Sequence, residues 1–141
     1  MKFWDASAIL PLCLKEPRTA LLKKIAEDDE AIIAWWATPV ECQSAFARLR
    51  RENIFNTSGE HQARRILSAL SDVWTEVEPS GDVREKAGRA LLLHPLRAAD
   101  SLQLAAALVW TGGRTGGHHF VCLDQRLREA AHREGFTVLP D

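Results

Sequence analysis

His119-Phe120-Val121-Cys122-Leu123-Asp124-Gln125-Arg126-Leu127-Arg128-Glu129-Ala130-Ala131-His132-Arg133-Glu134-Gly135-Phe136-Thr137-Val138-Leu139 holds a complete strand–helix–strand unit. The run His119 to Leu123 has strand length and ends at an Asp, a residue that caps helix starts, ahead of a helix over Gln125 to Glu134. Gly135 suits the position just past that helix, where the backbone turns left-handed, and Phe136 to Leu139 forms a final strand. Parallel strands need a crossover of this kind, so the unit predicts a parallel pair.

The same alternation extends upstream. Lys2 to Asp5 reads as a first strand that runs into a Ser-led helix, and Pro17 opens a helix with Leu21, Leu22 and Ile25 at helical spacing. Ala31 to Trp35 is a second strand. Thr38-Pro39 starts a helix to about Arg51, with Val40, Ala45, Phe46 and Leu49 on its apolar side. Asn56-Thr57-Ser58-Gly59 breaks the chain before a helix carrying Ile66, Leu67 and Leu70, and Val73 to Val77 alternates like a strand ended by Pro79-Ser80-Gly81. Helices over Asp82 to Leu93 and Ala98 to Trp110 follow. The expected fold class is α/β: a single three-layer domain over residues 1–141, with a parallel sheet of about five strands flanked by helices.

Composition narrows the function classes. With 46% hydrophobic and 26% charged residues, the profile is that of a soluble globular protein, long enough to bury a core without disulfides. The net charge of −1 supplies no global positive field, so nucleic-acid binding requires a local patch. Cys13, Cys42 and Cys122 are odd in number, far apart and set in apolar stretches; they read as reduced thiols of a cytoplasmic protein. No secretory leader is expected, no apolar run is long enough to cross a membrane, and Thr111-Gly112-Gly113-Arg114-Thr115-Gly116-Gly117 reads as a surface loop.

Four acids stand out: Asp5, Glu41, Asp100 and Asp124. Each alone has a plain explanation. Thr38-Pro39-Val40-Glu41 fits a capping box, Asp100 and Asp124 suit N-caps, and Asp5 ends a strand where Asp caps orphan amides. Together they say more, because the strand ends of a parallel sheet share one edge and ligands bind there. Asp5 and Asp124 end strands, and Glu41 lies in the first turn after a third. Asp100 begins a helix that feeds the strand ending at Asp124, and strand alternation places its start away from that edge. Carboxylates gathered at one edge repel one another unless a cation neutralises them.

The chain resembles the PIN-domain nucleases, and within them the toxin ribonucleases of the VapC type. Phe3-Trp4-Asp5-Ala6-Ser7-Ala8-Ile9-Leu10 is similar to the family's opening strand and first acid, and Val40-Glu41-Cys42-Gln43-Ser44-Ala45-Phe46 to its second. Leu96-Arg97-Ala98-Ala99-Asp100-Ser101-Leu102-Gln103-Leu104-Ala105 is the most specific match, and Val121-Cys122-Leu123-Asp124-Gln125-Arg126-Leu127 supplies the fourth. The resemblance covers essentially the full length and implies that the helix bearing Asp100 starts at the metal pocket. Two positions depart from the pattern: Trp4 is bulkier than the aliphatic residue expected, and Cys122 replaces a hydroxyl residue two before the acid.

An all-carboxylate site selects hard cations, so Mg²⁺ or Mn²⁺ is the expected occupant. The implied reaction is metal-dependent RNA hydrolysis leaving a 5′-phosphate, with Asp5, Asp100 and Asp124 as inner ligands and Glu41 as a further one, directly or through water. Ser7 either orients a carboxylate or caps a helix. Arg97 and Arg48 are substrate-phosphate candidates, Arg48 being set against its ordinary reading, with Arg50 and Arg51, as a solvated helix face. Trp35 and Trp36 either stack on bases or pack in the core. His118 and His119, adjacent at a strand start, point to opposite faces and form no catalytic pair. The resemblance further implies an antitoxin partner and a homodimer. The competing readings are a response-regulator-like phosphoacceptor, disfavoured by an unpaired Asp5 and by the lack of any Lys after Lys86, and a non-catalytic PIN-like RNA-binding module.

Overall fold

Phe3 and Trp4 are neighbours in the first strand and face opposite sides of the sheet, each fully buried. That alternation requires a helical layer on both faces. The computed structural model describes residues 1–141 and provides those layers. In chain order it comprises β1 (Lys2–Trp4), α1 (Ala6–Cys13), α2 (Thr19–Glu27), β2 (Ile32–Trp35), α3 (Thr38–Arg51), α4 (Thr57–Ser71), β3 (Thr75–Val77), α5 (Gly81–Leu93), α6 (Ala98–Trp110), β4 (His119–Val121), α7 (Gln125–Arg133) and β5 (Thr137–Leu139). The sheet has the order β3-β2-β1-β4-β5, and every neighbouring pair is parallel.

Phe3, Ile33, Trp35 and Phe120 pack against α5, α6 and α7, while Trp4, Ala34 and Val121 pack against α1, α3 and α4. The chain leaves β1 for β2 on one side and later fills β4 on the other, so strand order reverses at β1. A crevice at the carboxyl ends of β1 and β4 is the ligand-binding position of such a sheet. No helix is long and apolar enough to cross a membrane.

Local chemistry explains most boundaries. Asn56 and Ser80 accept backbone N–H bonds at the starts of α4 and α5, and Gly135 takes φ +100° after α7. Trp4 is accommodated because its indole N–H donates to Asp29 Oδ2 at 2.9 Å, and Asp29 also pairs with the N-terminal amine and Lys2. One expected strand starts too early: Val73 is 80% exposed, and the amides of Val73 and Trp74 both donate to the Leu70 carbonyl. Those two residues complete the last turn of α4, and β3 begins only at Thr75.

The direction of α6 corrects the expectation for Asp100. Trp110, at the end of α6, packs on Phe3 and on His118, which leads into β4. A helix that feeds a parallel strand runs antiparallel to it, so α6 ends where β4 starts and begins at the carboxyl edge. Asp100 therefore lies on the acid side of the sheet.

Candidate active site

Asp5 follows β1 directly and caps α1, with Oδ2 accepting the Ser7 backbone N–H at 3.1 Å. The Ser7 hydroxyl donates to the same oxygen at 2.5 Å and accepts the Leu123 backbone N–H at 2.9 Å. Ser7 is therefore not the cap; it ties the Asp5 carboxylate to the end of β4. Cys122, fully buried, brings its thiol within 3.6 Å of Asp5 Oδ2 and of the Asp124 carbonyl. Burial, the largest cause, and the nearby Asp5 push its pKa up, so it stays a neutral donor. A thiol thus fills the place expected of a hydroxyl and still contacts Asp5, by a longer and weaker bond.

Glu41 is not engaged in helix capping. The cap residue of α3 is Ala37 rather than Thr38, which moves Glu41 one position further into the helix than a capping box requires. Its Oε1 instead accepts a bond of 3.1 Å from the Gln103 side-chain amide. Burial is the main cause that raises its pKa to about 7, followed by the charge of Asp5; Gln103 opposes the rise and Asp100 adds to it.

Asp100 is the third residue of α6, after the cap Arg97. Its pKa is raised by burial and by the Asp124 charge, and lowered by the Arg97 backbone amide, the Arg97 guanidinium and Arg126. Asp124 caps α7, its Oδ1 accepting the Leu127 amide at 2.9 Å. Asp5, 4% exposed, has its pKa raised mainly by burial, against the bonds from Ser7, and Asp100 contributes further. Mutual repulsion thus links Asp5 with Glu41, Asp5 with Asp100, Glu41 with Asp100, and Asp100 with Asp124.

All four acids therefore share the carboxyl edge beside β1 and β4. None of the five ion pairs of the chain includes any of them. The donor set is carboxylate oxygen, which suits a hard divalent ion. As the side chains stand, no three His, Cys, Asp or Glu residues converge on one point. The fit is one of charge and donor chemistry.

The remaining candidates separate clearly. Arg97 flanks Asp100 and is exposed; Arg48 is exposed further along α3 and is not among the groups that shift Asp5, Glu41 or Asp100. Trp35 is buried in the core, whereas Trp36 is 53% exposed just past the carboxyl end of β2. His118 and His119 are half-buried at the opposite edge, where His118 packs against Trp110. Two residues escaped the sequence reading. Gln103 carried a signal, as the lone polar residue between Leu102 and Val109 in a buried helix. Arg126 carried none beyond its closeness to Asp124.

No family model matches the chain. The chain is 28% identical over 140 residues to the ribonuclease VapC45 of Mycobacterium tuberculosis, covering 98% of this chain and 94% of that one. Among solved structures it resembles M. tuberculosis VapC20, described as a sarcin–ricin-loop-cleaving toxin, with TM-score 0.68, 17% identity and 97% of each chain covered. It also resembles a toxin–antitoxin complex from Klebsiella pneumoniae, with TM-score 0.63, 16% identity, and 89% of this chain and 88% of that one covered. Over almost its full length the chain is similar in sequence to a VapC ribonuclease, and in fold it resembles VapC20 and a chain of a toxin–antitoxin complex.

Proposed function

We propose that the chain is an endoribonuclease that hydrolyses RNA phosphodiester bonds with Mg²⁺ or Mn²⁺, and that it is the toxin of a VapBC-type pair. The observation that carries this reading is the set of four carboxylates at one sheet edge with no ion-pair partner. Such a set is costly in an empty protein and useful in one that binds a cation. The kinship with a ribonuclease over nearly its whole length points to the substrate.

A divalent ion there would supply Lewis acidity at the phosphate and make a bound water more acidic than bulk water. Asp5, Asp100, Asp124 and Glu41 would hold it. The chain's own residues provide the positioning. Ser7 and Cys122 hold the Asp5 carboxylate, and the α7 cap holds Asp124. Arg97 and Arg126, whose charges reach Asp100, would receive substrate phosphates. Exposed Trp36 offers a face for a base.

An antitoxin belongs to the same reading, a basic side chain entering the acid cluster and displacing the ion. Homodimerisation is proposed too, with Leu91, Leu92 and Leu93, all exposed at the end of α5, as apolar surface for it to bury. The defining test is cleavage of RNA by the purified chain. Cleavage should require Mg²⁺ or Mn²⁺ and leave 5′-phosphate and 3′-hydroxyl ends. Cleavage undiminished in EDTA, or cyclic-phosphate products, refutes the reading.

A further inference from the structure

Gln103 is fully buried in a strongly apolar helix, one turn after Asp100. Its side-chain Nε2 donates to Thr38 Oγ1 at 3.0 Å and to Glu41 Oε1 at 3.1 Å, so both amide hydrogens are used. A carboxylate only accepts, which fixes the NH₂ end toward Glu41. The carbonyl Oε1 at the other end is buried and has no partner. A buried amide with an orphan carbonyl is an unfavourable way to join two helices, because an apolar side chain packs there without that cost.

Glu41 needs such a partner more than the other acids do. Ser7 secures Asp5, and the caps of α6 and α7 engage Asp100 and Asp124. Glu41 has no cap role, stands on a partly exposed first turn, and is repelled by both Asp5 and Asp100. Left to itself, its flexible side chain would swing toward solvent, where repulsion is least. The Gln103 bond is the only hydrogen bond its carboxylate receives.

We propose that Gln103 is a positioning residue for the metal site, holding the Glu41 carboxylate inward beside Asp5 and Asp100 so that an arriving divalent ion meets it. The inference rests on the reading of the four acids as a divalent-cation site. Because Gln103 and Asp100 share α6, the same helix delivers one ligand and aims another. Thr38 takes the other amide hydrogen and plays no part in holding Glu41.

The test is Mn²⁺ titration of the full chain, read from the paramagnetic signal of free Mn²⁺, alongside RNA cleavage kinetics and thermal melting in EDTA. Gln103→Leu should weaken Mn²⁺ binding by about 10–100-fold, the loss typical of removing a group that orients a ligand. It should lower kcat with KM for RNA unchanged, and should not lower the melting temperature in EDTA. Gln103→Met, closer in length, tests the same point should Leu leave a gap. Thr38→Val, which spares the Glu41 bond, should leave Mn²⁺ affinity unchanged. Unaltered Mn²⁺ affinity in both Gln103 variants overturns the proposal. So does an equal loss of melting temperature and affinity in Gln103→Leu and Thr38→Val, which would mark a structural tie. A wild type that cleaves RNA without binding Mn²⁺ or Mg²⁺ overturns the metal reading and this inference with it.

Discussion

Glu41→Gln isolates the electrostatic cost of the site in one substitution. The Glu41 carboxyl is raised from 4.5 to about 7, first by burial and then by Asp5. A group whose folded pKa is raised stabilises the fold fully below its unfolded value and loses that contribution as pH climbs to the folded value. Metal-free wild type should therefore become less stable between about pH 4.5 and pH 7. The full shift corresponds to roughly 3 kcal/mol at 1.36 kcal/mol per pH unit. Solvent reaches part of the carboxylate and screens it, so about 2 kcal/mol is the expected effect. Gln cannot ionise, and its Oε1 still accepts from Gln103. In EDTA the two proteins should melt together at pH 4, and the variant should melt higher at pH 8. At roughly 4 °C per kcal/mol for a chain of this size the gap is about 8 °C. Differential scanning calorimetry in EDTA across this range measures it. Parallel curves, or a variant less stable at pH 8, would refute the claim that Glu41 is held against repulsion and burial.

Asp100→Asn should reduce cleavage by orders of magnitude and abolish the Mg²⁺- or Mn²⁺-induced rise in melting temperature, while the protein in EDTA keeps or gains stability, since repulsion with Asp124 and Asp5 is relieved; full activity with an unchanged metal-induced shift removes Asp100 from the site. Gly135→Ala should destabilise the fold by at least about 1 kcal/mol, because Gly135 has φ +100° and an added Cβ would collide with Thr115 Oγ1. Cleavage per folded molecule should stay at the wild-type level below the lowered melting temperature, since Gly135 lies at the end of α7 opposite Asp124; urea titration with a parallel cleavage assay checks both parts.

The sequence alone determined the features that depend on neighbours along the chain. Alternating strand and helix segments, the Asp124 cap, the left-handed Gly135 and the placement of Asp5 beside a strand end are written into local patterns of a few residues. The ordering of the four acids was legible for the same reason. Tertiary structure decided which of those acids are spare for chemistry. Asp5 and Asp124 cap helices while facing the shared edge, so cap and site roles coincide there and local pattern cannot separate them. Glu41 is released from a cap because α3 starts one residue earlier than its Thr-Pro signal suggests, and its partner Gln103 comes from 62 residues away. Asp100 reaches the edge through the direction of α6, set by packing of Trp110 on Phe3 and His118. Repulsion among carboxylates falls off with distance in space, and distance in space between remote segments is set by packing of the two helical layers on the sheet.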